Sequence, residues 1–476
     1  MNKTIKKVRV HFQRNLGLYA ITIFSLIIHL IYRAPYLEDW DSVQFALGLH
    51  QYSVVLHQPH PPGYPIYILF GKFIYLFTRS DVQALTFLSA LFGSLAIIPL
   101  FFLTKKMFGQ ITAYITSIIF VLLPIGWILS EVANSNMTGL FFTLILAYLI
   151  YSWSNSLTYF KTALLGALAA FALGIRFTDF PVIVALLGVF IIKIHSWKYS
   201  LSFLISFIIG IFLWLIPLLL ITGPKEFYGA YREVANYVTW HDTLLGQSYT
   251  FKHLMKVRVE YLWELLNIAY TQIFILLSIL SLIIFCLRKE IRKQFYFYFL
   301  LVWFFSYLIP LIFFYNLELP QYTLPLLPPL VIIYAYIVTS LIKNRAILFL
   351  SVFIFSIFLF SQTFPQVKNQ SKDIPPTIAP VFYVQKNFDP KNTILVTTFT
   401  YRQFQYYAPE FKNFYGGDNL PKQITDQFII IDYEGLKREL PALQKYQIKS
   451  SLIFKQEHQL KFPRLKETKL YILQKN

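Results

Sequence analysis

The sequence predicts an all-α polytopic membrane bundle of about eleven transmembrane helices, followed by a small extracytoplasmic α/β domain at the C-terminal end. Three observations carry this. Of the 476 residues, 56% are hydrophobic and only 14% are charged, whereas soluble domains carry about a quarter charged residues. Apolar runs recur at a length of about twenty residues, which matches bilayer thickness. Residues 365–476 then turn polar, with short β-like runs.

The first span is expected at roughly 15–33, preceded by Lys3, Lys6, Lys7, Arg9 and Arg14. A basic start places the N-terminus in the cytoplasm. No small-residue cleavage site follows, so the segment reads as an uncleaved signal anchor. A first outer loop then covers 34–81. Within it, 66–78 is apolar but too short for a span and reads as a surface or re-entrant helix. Further spans are expected near 82–104, 108–128, 136–153, 159–175, 178–194 and 199–222. A second outer segment, 223–266, is long and charged, and part of it is expected to lie on the membrane as an amphipathic helix. The last spans fall near 267–287, 295–315, 322–342 and 346–364, completing a membrane module over 1–364.

This count passes an internal test. The loops it places inside carry Lys105-Lys106, Lys161, Lys193 with Lys198, Arg288-Lys289 with Arg292-Lys293, and Lys343 with Arg345. All are basic, as the positive-inside rule requires. Odd parity puts 365–476 outside. There Pro365, Pro375-Pro376 and Pro380 mark a linker, strands are expected at 393–397, 428–432 and 469–473, and a short helix at 434–440. Seventeen Lys/Arg against ten Asp/Glu in this domain suit an anionic surface or substrate.

The formal charge of +19 would suggest nucleic acid in a soluble protein. Here the basic residues punctuate hydrophobic runs, so topology and anionic lipid headgroups account for them, and no nucleic-acid partner is expected. The single cysteine, Cys286, excludes an intrachain disulfide and a Cys-based zinc cluster. No P-loop, Rossmann glycine pattern, zinc-protease motif or nucleophile elbow is present.

The chemistry-bearing residues gather at one face. Glu38, Asp39 and Asp41 sit where water meets lipid, where acids are costly and mark function by default. If a helix begins at 38, Glu38 and Asp41 share a face. The plain alternative is that Asp39 or Asp41 caps the helix, but capping needs one acid rather than three. A carboxylate here suits a general base on an acceptor hydroxyl. His57 and His60 follow in a stiff Pro/Gly loop. With Asp39 or Asp41 they offer ligands to a divalent cation, although hydrogen bonding to a phosphate or to the acids is the stronger reading. Glu131 lies level with them, as a site acid or as a cap for the next span. Arg176 sits in a tight hairpin and either pairs with a phosphate or simply with Asp179. Around Gln321 and Tyr322, repeated prolines break the helix and free carbonyls that protein or water must satisfy.

These residues resemble the GT-C superfamily of membrane glycosyltransferases, which includes protein O-mannosyltransferases and aminoarabinose transferases. Asp41-Ser42-Val43-Gln44-Phe45 with His60-Pro61-Pro62-Gly63-Tyr64-Pro65 is similar to the branch carrying Asp-Ser-Gly-Glu-Phe and His-Pro-Pro-Gly-Tyr-Pro. Ser130-Glu131-Val132 is similar to its second acidic motif, and Gln321-Tyr322-Thr323-Leu324-Pro325 to an Arg-Tyr-x-Leu-Pro element. Gln44 stands where Glu is usual, and Gln321 where Arg is common. The resemblance implies an inverting glycosyltransferase with a polyprenyl-phosphate-linked sugar donor and a protein, lipid or glycan acceptor. It singles out Asp41 as the base, with Asp39 second and Glu131 orienting the acceptor or assisting. His57, His60 and Arg176 are then expected to stabilise the phosphate leaving group. With Gln321 in place of Arg, phosphate recognition falls to Arg176, Arg232 or Arg258. Glu38, Tyr64, Gln321 and Tyr322 complete the expected binding set.

Two other classes fit less well. A transporter or flippase of lipid-linked sugars would show inverted repeats and mid-span ionisable residues, and neither is visible. A non-catalytic scaffold would leave the three acids unexplained.

Overall fold

The computed structural model describes residues 13, 15–193, 196–241, 243, 251–422, 424, 426–456 and 465–475. Lys3, Lys6, Lys7, Arg9, Arg14 and Asp242 lie outside the described residues. Helices α1 (Leu16–Ile31), α2 (Trp40–His50), α3 (Pro65–Thr78), α4 (Asp81–Leu95) and α5 (Ile97–Phe108) come first. Next are α6 (Gln110–Leu122), α7 (Pro124–Leu129), α8 (Asn136–Trp153), α9 (Tyr159–Ile175), α10 (Phe180–Lys193) and α11 (Trp197–Thr222). The bundle ends with α12 (Pro224–His241), α13 (Phe251–Tyr270), α14 (Gln272–Leu287), α15 (Phe295–Phe314), α16 (Leu327–Leu341) and α17 (Arg345–Gln370).

The expected spans fall mostly on helix, with 108–128 divided between α6 and α7. Among the described residues, six stretches can cross a membrane alone by length and composition, and a bent pair makes a seventh. Helices α1, α3, α6 and α9 are apolar but shorter. The burial pattern is that of a multi-pass membrane protein. In α1 the buried stripe is Leu18, Thr22, Ser25 and His29, while Ile23, Phe24, Ile27 and Ile31 are exposed. Small and polar groups inside with large apolar groups outside is what lipid permits and water does not. Helices α9 and α11 meet through small residues. A side chain at Gly166 would strike the Phe203 carbonyl, and one at Gly210 would strike Ala170.

Three local features differ from expectation. The helix expected to begin at 38 begins at Trp40 and is capped by Asp39, so Glu38 stands outside it and shares no helix face with Asp41. The span expected at 267–287 is two helices, α13 and α14, bent by 107° at Thr271, whose φ is 70°. Its side chain accepts from the Phe274 amide and starts the new helix. The last membrane helix does not stop near Pro365 but runs on to Gln370. Elsewhere the proline argument meets its partners. Pro320–Leu326 forms a 3-10 turn; the Pro325 carbonyl accepts from the Trp303 indole at 3.0 Å, and the Thr323 carbonyl from the Tyr270 hydroxyl. The short apolar segment of the first loop is α3. It buries Ile66, Tyr67, Ile68 and Gly71 and exposes Leu69, Phe73, Leu76 and Phe77.

The C-terminal part contains α18 (Ala379–Asn387), β1 (Thr393–Thr397), α19 (Tyr401–Tyr407), β2 (Lys412–Tyr415), β3 (Phe428–Ile431), α20 (Gly435–Glu439), β4 (Tyr446–Lys455) and β5 (Glu467–Lys475). The sheet order is β2-β1-β3-β5-β4. Strand β1 pairs in parallel with β2 and β3, while β5 pairs antiparallel with β3 and β4. Separate apolar clusters line its two faces, one around Leu395, Phe404 and Ile430, the other around Val396, Ile429 and Leu473.

Candidate functional site

The site grows from the start of α2. The Asp39 carboxylate accepts from the Trp40 amide at 2.8 Å, and the Ser42 hydroxyl donates to the Asp39 carbonyl at 2.6 Å. Capping therefore occupies Asp39. Asp41, in the first turn of the helix, keeps 35% of its side chain exposed and lies 3.6 Å from His60 Nδ1. Gln44 explains its own departure from the family's Glu. Its Oε1 accepts from the His60 backbone N–H at 3.2 Å and from Nδ1 at 2.7 Å. That fixes the proton on Nδ1 and leaves Nε2 to accept from the Tyr64 hydroxyl at 3.0 Å. Burial, followed by the charge of Arg176, pushes His60 down to about 4. Burial and the nearby Arg402 also hold His57 below its usual range. Burial thus favours the neutral form of both histidines, and the His60 ring is held by hydrogen bonds.

The turn that carries His60 is held from inside. The Tyr52 hydroxyl donates to the Gly63 carbonyl at 2.9 Å, and Ser53 and Gln58 form an antiparallel bridge. Gly63 has φ +100°, a conformation glycine adopts without strain.

Arg176 is buried between α9 and α10. Its Nη1 donates to Ser135 Oγ at 3.0 Å and to Asn136 Oδ1 at 2.9 Å, and Nε lies 3.5 Å from Asp179. The pair across the hairpin thus forms, and Gly139 makes room for it: a Cβ there would strike Asp179 and Arg176. The charges of Asp41, Arg176 and Asp179 all act on the Tyr64 hydroxyl, so the first loop and the hairpin converge on that ring. Tyr322 faces the same guanidinium and packs on Tyr315 at 5.0 Å. Arg258 is buried and donates to the Tyr315 carbonyl at 2.8 Å. Arg232 is exposed on α12, where the buried residue is Ala230.

On the other side of α2 a cleft opens. Glu38, Asp39, Asn134, Glu318, Gln321 and Gln366 are among its lining, and among the described residues no Lys, Arg or His is. Glu38 Oε1 is buried without a hydrogen-bond partner. Burial, then the charge of Asp39, raises its carboxyl to about 7.

Glu131 does not join this cavity. It accepts from the Trp127 indole at 2.7 Å and lies 3.5 Å from His29 Nδ1. It is fully buried, and burial pushes it well above the usual carboxylate range. Its carbonyl accepts from the Ala34 amide at 3.0 Å, which ties it to the root of the first loop. Glu131 therefore braces that loop from behind rather than facing Asp41. Among the described residues, no group of three or more His, Cys, Asp and Glu converges as a metal-holding set.

The largest omission from the sequence reading is the C-terminal part. Gln403 donates to the Glu38 carbonyl at 2.6 Å, the Leu37 amide to the Tyr407 hydroxyl at 2.8 Å, and the Trp40 indole to the Phe399 carbonyl at 3.0 Å. Tyr406 donates to Asp81 at 2.8 Å, the same carboxylate that holds His50 at 2.8 Å. Arg402 donates to the Leu56 carbonyl at 3.3 Å. Helix α19 thus clamps the first loop along its length. No local pattern in the sequence signals contacts between residues more than 300 positions apart.

Residues 59–221 match the family model described as dolichyl-phosphate-mannose-protein mannosyltransferase. No curated protein matches the sequence. Among solved structures, ArnT from Cupriavidus metallidurans bound to undecaprenyl phosphate aligns with a TM-score of 0.56 at 10% identity, over 97% of this chain and 98% of that one. The Archaeoglobus fulgidus oligosaccharyltransferase in its apo form aligns with a TM-score of 0.56 at 12% identity, over 90% of this chain and 72% of that one. The chain shares the fold of ArnT and of that oligosaccharyltransferase.

Proposed function

We propose that this GT-C chain is an inverting glycosyltransferase that moves a sugar from a polyprenyl phosphate to an acceptor hydroxyl on the outer face of the membrane. The observation that carries the reading is the open carboxylate of Asp41, 3.6 Å from the His60 ring that holds Tyr64, with the buried Arg176 guanidinium fixed on Ser135 and Asn136 and its charge acting on both His60 and Tyr64. Asp41 takes the proton of the acceptor hydroxyl. The acceptor oxygen forms its bond to the anomeric carbon from the face opposite the departing phosphate. The anomeric C–O bond breaks, and its electron pair leaves with the phosphate. Charge then develops on the phosphate side, where a fixed guanidinium stabilises it without reorganising. His60 holds the loop rather than the charge. Among the described residues the cleft beside Glu38 has no basic lining residue, which favours the phosphate on the Arg176 side and the acceptor on the other.

The orientation is part of the proposal. Basic internal loops support a cytoplasmic N-terminus and an external C-terminal domain beginning near 365. The 59–221 family match, and a fold neighbour solved with undecaprenyl phosphate, support the donor class. The experiment is transfer from a labelled polyprenyl-phosphate sugar by the protein in nanodiscs. Asp41→Asn at equal abundance should abolish it, and full transfer by that variant would remove Asp41 from the mechanism. Movement of the intact lipid-linked sugar across liposomes, with no transfer, would instead indicate a flippase.

A further inference from the structure

The C-terminal sheet turns the carboxyl ends of its parallel strands toward the first loop. Its first three strands lie in the order β2-β1-β3, all parallel. The chain leaves β1 to one side and returns to the other, so β1/β3 is a topological switch point. Open α/β sheets bind ligands outside the carboxyl ends of the strands at such a point. Here those ends carry exposed aromatic rings: Phe399 after β1, Tyr415 at the end of β2 and Tyr433 after β3, exposed by 49%, 41% and 45%.

The rings form one surface. Phe399 and Tyr433 meet across the switch point at 6.3 Å. Tyr415 touches Tyr401 at 5.3 Å and Trp40 of the first loop at 5.8 Å. The base beneath them is rigid. Asp432 accepts from the amides and hydroxyls of both Thr398 and Thr400, at 2.7 to 3.2 Å. That pins the loop carrying Phe399, whose carbonyl in turn holds the Trp40 indole. Arg402, buried, lies 5.9 Å from the Trp40 ring and 5.5 Å from that of Tyr401, with its Nη1 on Gln405. It supports the rings from below instead of reaching outward.

We infer that this aromatic shelf, built from the carboxyl ends of β1, β2 and β3 together with Trp40, binds a neutral carbohydrate chain whose terminal sugar hydroxyl is offered to Asp41. This rests on the transferase reading above and names its acceptor class. A sugar ring has an apolar C–H face and a hydroxyl edge, which suits open aromatic faces carrying hydroxyls. Arg402, beside the Trp40 ring, also acts on His60, which lies 3.6 Å from Asp41, so a chain lying on the shelf leads toward the base. A peptide acceptor would use the free edge of β2 as a pairing strand, but the rings sit at strand ends, not along that edge. A membrane-seeking belt would ring the bundle, whereas these five rings come from four distant segments and converge beside one residue.

The test uses the full chain in nanodiscs. Maltopentaose, mannopentaose and chitopentaose are titrated by saturation-transfer NMR, beside a Ser/Thr-rich peptide. At least one oligosaccharide should bind saturably. The double variant Tyr415→Ala, Tyr433→Ala should weaken it about tenfold or more, and Tyr415→Phe, Tyr433→Phe should restore it. Three results overturn the inference: no oligosaccharide binds the wild type, the alanine variant binds as well, or the peptide is the ligand that depends on the two rings. Binding is read without turnover, so failure of the transferase reading, seen as full transfer by Asp41→Asn, is a separate result.

Discussion

Asp41 and Glu131 are the two acids that the motifs mark most strongly, and the structure puts them in opposite physical situations. Asp41 lies at an open mouth, a third exposed and 3.6 Å from a histidine already engaged elsewhere. Glu131 is sealed among Trp127 and His29 with one oxygen lacking any partner. A carboxylate that must gain and lose a proton each turnover needs water or substrate within reach. One that is buried and pushed toward its neutral form serves as a hydrogen-bonded strut. Residue type alone does not separate these roles; the direction of the side chain does.

The largest effect that tests this contrast is on transfer. Asp41→Asn keeps the shape of the loop and removes the base, so turnover should fall by about 10²–10⁴-fold with unchanged abundance and melting temperature. Glu131 should show the reverse. Glu131→Ala strands the Trp127 indole and leaves a void, so the melting temperature should drop, by a loss of order 2–4 kcal/mol. On the proposed mechanism, which routes the proton through Asp41, the surviving molecules should keep turnover within about threefold. Glu131→Gln should lose far less stability, because burial favours the neutral carboxyl there and the amide keeps its shape. A Glu131→Gln variant that folds normally but does not turn over would return Glu131 to the reaction.

How much of this was legible follows from the solvent. In lipid, apolar length and basic flanks are read directly, and 136–153 and 159–175 coincide with helices α8 and α9 at both ends. The break at Thr271 was not legible, because threonine does not break helices; a positive φ there is set by packing around it. Asp39 as a cap was readable from residue type, and Gln44 was readable only as a departure. Its purpose, holding both the backbone and the ring of His60, needs coordinates. The clamp from α19 was least legible. Gln403, Tyr406 and Tyr407 look like an ordinary polar-aromatic helix until they are placed on Glu38, Asp81 and Leu37.

Smaller effects separate the mouth from its surroundings by pH. His60 is held at about 4 in the folded protein, against an ordinary 6.5. The unfolded chain therefore binds more protons between those values. His60 stabilises the fold fully above pH 6.5, and this contribution is lost as pH falls toward 4. Glu38 behaves oppositely. Its carboxyl sits at about 7, against an ordinary 4.5, so the folded protein binds the extra proton and stability falls as pH rises from 4.5 toward 7. In the wild type the two slopes oppose each other. Between pH 4.5 and 6.5, the melting temperature of His60→Gln should fall more steeply with rising pH than that of the wild type, and that of Glu38→Gln should rise. Equal slopes in all three proteins would contradict both assignments.

Glu38 is also where the contrast between Asp41 and Glu131 is sharpest, because it shares a trait with each. Like Glu131 it has a buried oxygen without a partner. Like Asp41 it faces open space, lining a cavity with Asp39 and Glu318. At pH 7 about half of the molecules carry it protonated, given a carboxyl at about 7. If it acts as a hydrogen-bonding wall for the acceptor, the acceptor KM should change through pH 7 in the wild type and stay flat in Glu38→Gln. The kcat should be altered by no more than about threefold in that variant, because the proton in transit belongs to Asp41. If Glu38→Gln instead loses kcat as deeply as Asp41→Asn, the base is shared between the two acids, and openness alone no longer distinguishes the acid that reacts from the acid that supports.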